Sequence, residues 1–349
     1  MKKIFVAMMA VAALVGCTNK SYTISGVLEP EKEYQLFAAE EGGWEVEKAT
    51  FTTDAEGKFS LNGEVDLPYF AAIIGSDSIS STQVRLFVEP GKICVEPSSE
   101  SPEYEVTGTP SNDALILFNR ESNLIMQALF MAESEEEAEA AFAQRDSLSR
   151  AMVAANKNLF GALLLSEVFY MWEDDEVKAF IEEFPAELKQ TPYLAEILKL
   201  YERKANTEIG KPYMELTLND KEGNPVALSS LVGEGKWVLV DFWATWCEPC
   251  KAEIPALKEA YAAFHDKGFE IYGVSLDRDP EAWAAYITEH EMNWVNTLGR
   301  DGNPASAEMI DQYAVQSIPS NFLIGPDGTI VARHLRGEAV MQTLQEQIQ

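Results

Sequence analysis

Cys247 and Cys250 are separated by Glu248 and Pro249, at the point where an apolar run gives way to a helical pattern. Upstream, Val238-Leu239-Val240-Asp241-Phe242-Trp243 reads as a strand, and the chain turns at Ala244–Trp246. Two cysteines in the first turn of a helix lie on one face, close enough to form a disulfide. The helix N-terminus offers unpaired N–H groups and partial positive charge, which favour a thiolate at Cys247. Pro249 costs little there, because its missing N–H would have been unpaired anyway. The chemistry implied is thiol–disulfide exchange, with Cys247 as nucleophile and Cys250 resolving the mixed disulfide. An inert cystine is the competing account, but so short a loop contributes little stability. A metal is not favoured, since no second Cys-x-x-Cys exists and His265, His290 and His334 are isolated.

Further positions could serve this chemistry. Asp241 sits inside an apolar strand, where a carboxylate is costly to bury unless something uses it. Glu253 falls three residues after Cys250 and shares its helical face. Ile318-Pro319 precedes the strand Ser320-Asn-Phe-Leu-Ile324, and Trp243 and Trp246 bracket the turn. Core packing accounts for Trp243, whereas Trp246 is a candidate for a substrate-facing surface.

The whole string, from the strand through Trp246-Cys-Glu-Pro-Cys-Lys-Ala-Glu-Ile-Pro255, resembles the thioredoxin superfamily. Within it, the string looks like the membrane-tethered, envelope-facing reductases related to cytochrome c maturation. The resemblance implies an α/β thioredoxin fold, no cofactor and a membrane electron donor that re-reduces the pair. It implies that Asp241 has a raised pKa and shuttles the proton of Cys250; a hydrogen-bonded structural acid is the alternative. It makes Glu253 an active-site acid, where spacing alone allows an ordinary solvated glutamate. Those closest relatives commonly lack an acid at the strand position, so which carboxylate handles the proton stays open. By the same resemblance Pro319 is cis and faces the disulfide, and its neighbouring backbone, Ile318 included, pairs with the substrate chain. Glu248 opposes the Cys247 thiolate, which pushes the potential downward and favours a reductant.

The elements that position these residues follow from patterning. Lys2 and Lys3 precede an apolar run from Ile4 to Val15 that is too short to span a bilayer and fits a secretory signal. It ends Leu14-Val15-Gly16-Cys17, which resembles a bacterial lipobox and implies acylation at Cys17. Residues 1–16 are thus expected to be a lipoprotein signal peptide. No acidic run follows Cys17, which makes the inner leaflet of the outer membrane, facing the periplasm, the default location. Residues 17–110 read as short strands divided by turns, a small β-sandwich or barrel. Their pattern looks like the uncharacterised β domain of Bacteroidetes-type lipoproteins. Cys94 follows Ile93 in an apolar strand and is expected to be a buried structural thiol.

Residues 111–206 turn helical. Leu117, Leu124, Ala128 and Met131 share one face, and a seam from Ala138 to Leu159 is interrupted by Arg145. This segment either spaces the redox head from the anchor or packs on the β domain. Residues 207–349 read as one α/β domain in the order strand, helix, strand, helix, hairpin, helix.

A formal charge of −30 argues against nucleic acid as a partner, since phosphate binding needs clustered Lys and Arg. The favoured reading is an envelope lipoprotein that reduces disulfides in client proteins. Two alternatives stand beside it: an oxidase or isomerase on the same fold, and a binding or assembly lipoprotein with a secondary redox head. A thiol peroxidase is disfavoured because no Pro-x-x-x-Thr-x-x-Cys string precedes the active helix.

Overall fold

The computed structural model describes residues 20–40, 43–76, 83–99, 103–233 and 235–348, so Cys17 and the signal segment lie outside the described residues. The chain divides into two compact units between Ile197 and Leu198, inside a helix.

The first unit begins with eight strands: β1 (Ser21–Val27), β2 (Glu33–Glu40), β3 (Gly43–Thr52), β4 (Lys58–Glu64), β5 (Tyr69–Gly75), β6 (Gln83–Val88), β7 (Gly91–Pro97) and β8 (Tyr104–Thr107). They form two four-stranded sheets, ordered β4-β1-β7-β8 and β3-β2-β5-β6. Alternate residues of both sheets, among them Ile24, Leu36, Ile73, Leu86, Ile93 and Val106, share one buried cluster. That is the inward and outward alternation of a sandwich. Cys94 on β7 is a free thiol and only partly buried, because it points away from the inward set of Ile93 and Val95.

Four helices complete most of this unit: α1 (Pro110–Phe130), α2 (Glu135–Ala155), α3 (Leu159–Val168) and α4 (Asp174–Glu182); α5 (Pro192–Asn206) carries the division. The helical segment packs on the sheets. The Asn112 amide accepts from Phe87 N–H and donates to its carbonyl, both at 2.9 Å, and Ser111 donates to the buried Glu89 carboxylate through N–H and hydroxyl. Phe160 packs edge-on against Phe87 and against Phe118.

For these helices the structure decides one point that the pattern left open and corrects another. The Leu117–Leu124–Met131 face is exposed, and α1 instead buries Ala114, Phe118, Ser122 and Ile125. The helix carries two stripes at helical spacing, and the one that meets Phe160 is buried. The seam from Ala138 stops at Ala155, because Asn158 caps a new helix by accepting from Gly161 N–H.

The second unit contains β9 (Thr217–Asn219), β10 (Pro225–Ala227), β11 (Trp237–Trp243), α6 (Glu248–Phe264), β12 (Phe269–Ser275), α7 (Pro280–Glu289), β13 (Val295–Leu298), α8 (Pro304–Asp311), β14 (Ser320–Ile324), β15 (Ile330–Arg333) and α9 (Glu338–Gln347). The sheet runs β10-β9-β13-β12-β11-β14-β15. β11 lies parallel to β12 and antiparallel to β14. Covered on both faces, it reads as an apolar run interrupted only by Asp241 rather than as an alternating pattern. Val238, Val240 and Phe242 join one core with Tyr313 and Phe322. Leu239 and Trp243 join the opposite core with Cys250, Ile254 and Leu257 of α6 and Val340 and Leu344 of α9. Alternation therefore turns Asp241 towards the α6 side. This is the thioredoxin-like arrangement, and it delivers the end of β11 to the start of α6.

Candidate active site

Cys247 is the N-cap of α6, and its sulfur accepts from the Cys250 N–H at 3.2 Å. The two sulfurs are bonded at 2.04 Å. One orphan N–H of the first turn thus points at the sulfur that would carry charge after reduction. Both cysteines are largely buried, at 5% and 3% exposure, whereas the adjacent Trp246 is 64% exposed. Trp243 is buried and packs against Tyr286.

The turn before the cysteines is held from β12. Thr245 donates its N–H and its hydroxyl to Asp277, at 3.0 and 2.7 Å, and Ser275 donates to the same buried carboxylate at 2.6 Å. Asp277 escaped the sequence reading because its partner lies 32 residues away. The local sign was an acid directly after an apolar strand.

Ile318–Pro319 is a cis bond, and Cys247 Sγ lies 3.7 Å from the Ile318 carbonyl oxygen. A groove of about 810 Å³, lined by Trp246, Leu276, Arg278, Arg300, Gln316 and Ile318, opens beside this pair. Trp246 and Ile318, chosen from sequence as substrate-facing, both line it.

Asp241 is buried at 7% exposure, opposite Gly273 on one side and Asn321 on the other. Burial pushes its carboxyl up to about 7; the Arg336 charge pulls it back, Glu253 adds to the rise, and a hydrogen bond with Asn321 lowers it. A carboxyl poised there can hold or release a proton near neutrality. Glu253 is partly buried on α6 and accepts from Gly337 N–H at 2.5 Å, so it is not a free surface glutamate. Glu248 pairs with Lys251 one turn on, and that cation offsets part of its opposition to a Cys247 thiolate. Among the described residues no group of three or more His, Cys, Asp or Glu could hold a metal ion.

The structure therefore brings Cys247, Cys250, Trp246, Ile318 and Pro319 to one edge of the second unit. Asp241 lies in the sheet on the α6 side, and Glu253 lies on α6 itself. Arg336 was absent from the sequence reading and belongs to the same neighbourhood through its charge on Asp241.

Residues 209–333 match the AhpC/TSA family, and residues 22–115 match a domain of unknown function, DUF4369. The chain is 30% identical over 146 residues to the thiol-disulfide oxidoreductase ResA of Bacillus cereus, covering 42% of this chain and 80% of that protein. It is 33% identical over 128 residues to its Bacillus subtilis counterpart, covering 37% and 68%. Among solved structures, the thioredoxin domain of a thiol-disulfide oxidoreductase from Bacteroides vulgatus is 37% identical, with a TM-score of 0.38, covering 41% of this chain and 99% of that one. A thiol:disulfide interchange protein from a Bacteroides species is 36% identical, with a TM-score of 0.38, covering 41% and 91%.

Proposed function

We propose a direction and a setting for the chemistry of this chain, which belongs to the thioredoxin-like thiol-disulfide oxidoreductases: it reduces disulfides of envelope proteins while held to a membrane through Cys17. The single observation that carries the reading is the disulfide at the head of α6, whose Cys247 sulfur faces the Ile318 carbonyl beside an open groove.

In the reduced protein the Cys247 thiolate attacks one sulfur of the client disulfide. One client thiolate leaves, and a mixed disulfide forms. Cys250 then loses its proton to the Asp241 carboxylate and attacks the Cys247 sulfur. The second client thiolate leaves and is protonated. Two electrons have passed to the client, and the Cys247–Cys250 bond is restored. A thiol or membrane donor must supply two electrons for the next cycle. Glu253, tied to Gly337, shapes the field around Asp241 rather than carrying the proton itself. Trp246 and Ile318 line the path of the client segment.

The Glu248 charge and the family resemblance support a reducing potential, nearer the roughly −270 mV of thioredoxins than the roughly −120 mV of strong oxidants. Titration against a glutathione or dithiothreitol buffer measures it, and a value at the oxidising end overturns the direction. In cells, Cys250→Ala is expected to accumulate mixed disulfides with clients, and Cys247→Ala is not. Equal trapping by Cys247→Ala would remove the nucleophile assignment. Cys17→Ala is expected to move the protein from the membrane pellet to the soluble fraction, and retention in the pellet refutes the anchor.

A further inference from the structure

We infer that Arg336 is a positioning residue for the exchange reaction: its guanidinium braces the Pro319 carbonyl, next to the carbonyl that faces the Cys247 sulfur. The inference rests on the reductase reading above and adds a residue that neither the motif nor the family match singles out.

Three consecutive residues before α9 reach three parts of the site. Leu335 exchanges two hydrogen bonds with the Asn321 amide, donating its N–H at 2.8 Å and accepting at 2.9 Å. Asn321 is the residue opposite Asp241 in the β11–β14 register. Arg336 donates to the Leu335 carbonyl at 2.8 Å and, through its other terminal nitrogen, to the Pro319 carbonyl. Gly337 donates to the Glu253 carboxylate on α6. Its φ of +49° is one that side chains rarely adopt, and no atom would meet an added Cβ, so glycine is there for backbone conformation rather than space.

What separates Arg336 from a structural arginine is where its charge goes. Among the described residues no carboxylate lies within ion-pair distance of it; both its hydrogen bonds go to backbone carbonyls. Its charge is nevertheless felt at Asp241, where it is the cationic counterweight to burial and to Glu253. The planar fork can satisfy two carbonyls at once, which an ammonium cannot do in the same geometry. One side chain therefore does two separable things: it fixes the loop that receives the client and it favours the ionised form of the buried acid.

Substitution in the full chain separates them, with insulin as a protein disulfide and a small aromatic disulfide as a substrate that needs no backbone docking. Arg336→Met is expected to lose about tenfold in kcat/KM on insulin, the scale of one charge-assisted hydrogen bond, while retaining most activity on the small disulfide at high pH. Its pH–rate limb is expected to move to higher pH by about one unit, because Asp241 has lost its cation. The groups acting on Asp241 are Arg336, Glu253 from α6 and the neutral Asn321 from β14. An Asp241→Asn background is therefore expected to abolish the shift while the insulin deficit persists. Arg336→Lys is expected to restore the limb and leave the deficit, and it tests the idea even if the Met variant fails to fold. Equal losses on both substrates with an unmoved pH profile would reduce Arg336 to a structural part, and wild-type activity in both variants would remove it altogether. A wild-type protein that reduces neither substrate would instead sink the reductase reading.

Discussion

Asp241 carries an electrostatic cost that the rest of β11 must cover. Its carboxyl titrates near 7 in the fold against 3.8 as an ordinary aspartate, mainly because burial disfavours the charge. The folded state therefore holds a proton that the unfolded chain has already released. This group's contribution is most favourable below about pH 4 and is lost as pH rises towards 7, after which the cost is constant. A shift of this size corresponds to a penalty on the order of 4 kcal/mol above pH 7. Asp241→Asn in the oxidised protein is accordingly expected to be more stable at pH 8 by a few kcal/mol and nearly neutral at pH 4. Urea unfolding at the two pH values measures the difference, and equal midpoint changes at both would mean that Asp241 is not a strained acid. The same variant is expected to slow resolution of the mixed disulfide. A group retained at a cost to stability and lost at a cost to rate is one that the reaction uses.

At the scale of elements, α6 must start at a fixed point, because a slip of one residue would take Cys247 off the N-cap. Pro249 and the end of the β11 apolar run were legible as that start, since both signals are local. Thr245 and Asp277 hold the turn from across the sheet, and no spacing in the sequence could have paired them. Arg336 was hidden for the same reason, its partner being Pro319. The face that α1 buries was illegible because two stripes compete along one helix and partners distant in sequence, Phe160 among them, decide between them. By contrast, α8 announces itself through Asn303 accepting from Ala305 N–H ahead of Pro304, an N-cap signal that the sequence reading passed over. Asp277→Ala would leave the partly buried Thr245 N–H and hydroxyl without their acceptor. It is expected to destabilise the protein by about 1–3 kcal/mol and to slow attack on insulin. Chemical denaturation and single-turnover kinetics measure the pair of effects, and an unchanged rate would show that the turn is held without the carboxylate.

The whole molecule adds a field to this site. With 57 acidic and 27 basic residues the chain repels acidic partners at a distance and attracts basic ones. Arg278 and Arg300 line the groove beside Trp246 together with Asp277 and Asp279, so the point of contact carries two charges of each sign while the chain as a whole is acidic. The long-range field is thus acidic while the groove is balanced, and salt separates the two. The Debye length falls from about 30 Å at 0.01 M to about 8 Å at 0.15 M, so the field of the chain is screened first while contacts in the groove persist. Association with a basic disulfide-bearing client is expected to slow several-fold over that range, and association with an acidic one to accelerate. Removing both arginines is expected to weaken the acidic client at every salt concentration, because that loss is local. Stopped-flow quenching of tryptophan fluorescence follows both rates. Salt-independent association would mean that the net charge serves solubility alone and leaves client choice to the groove.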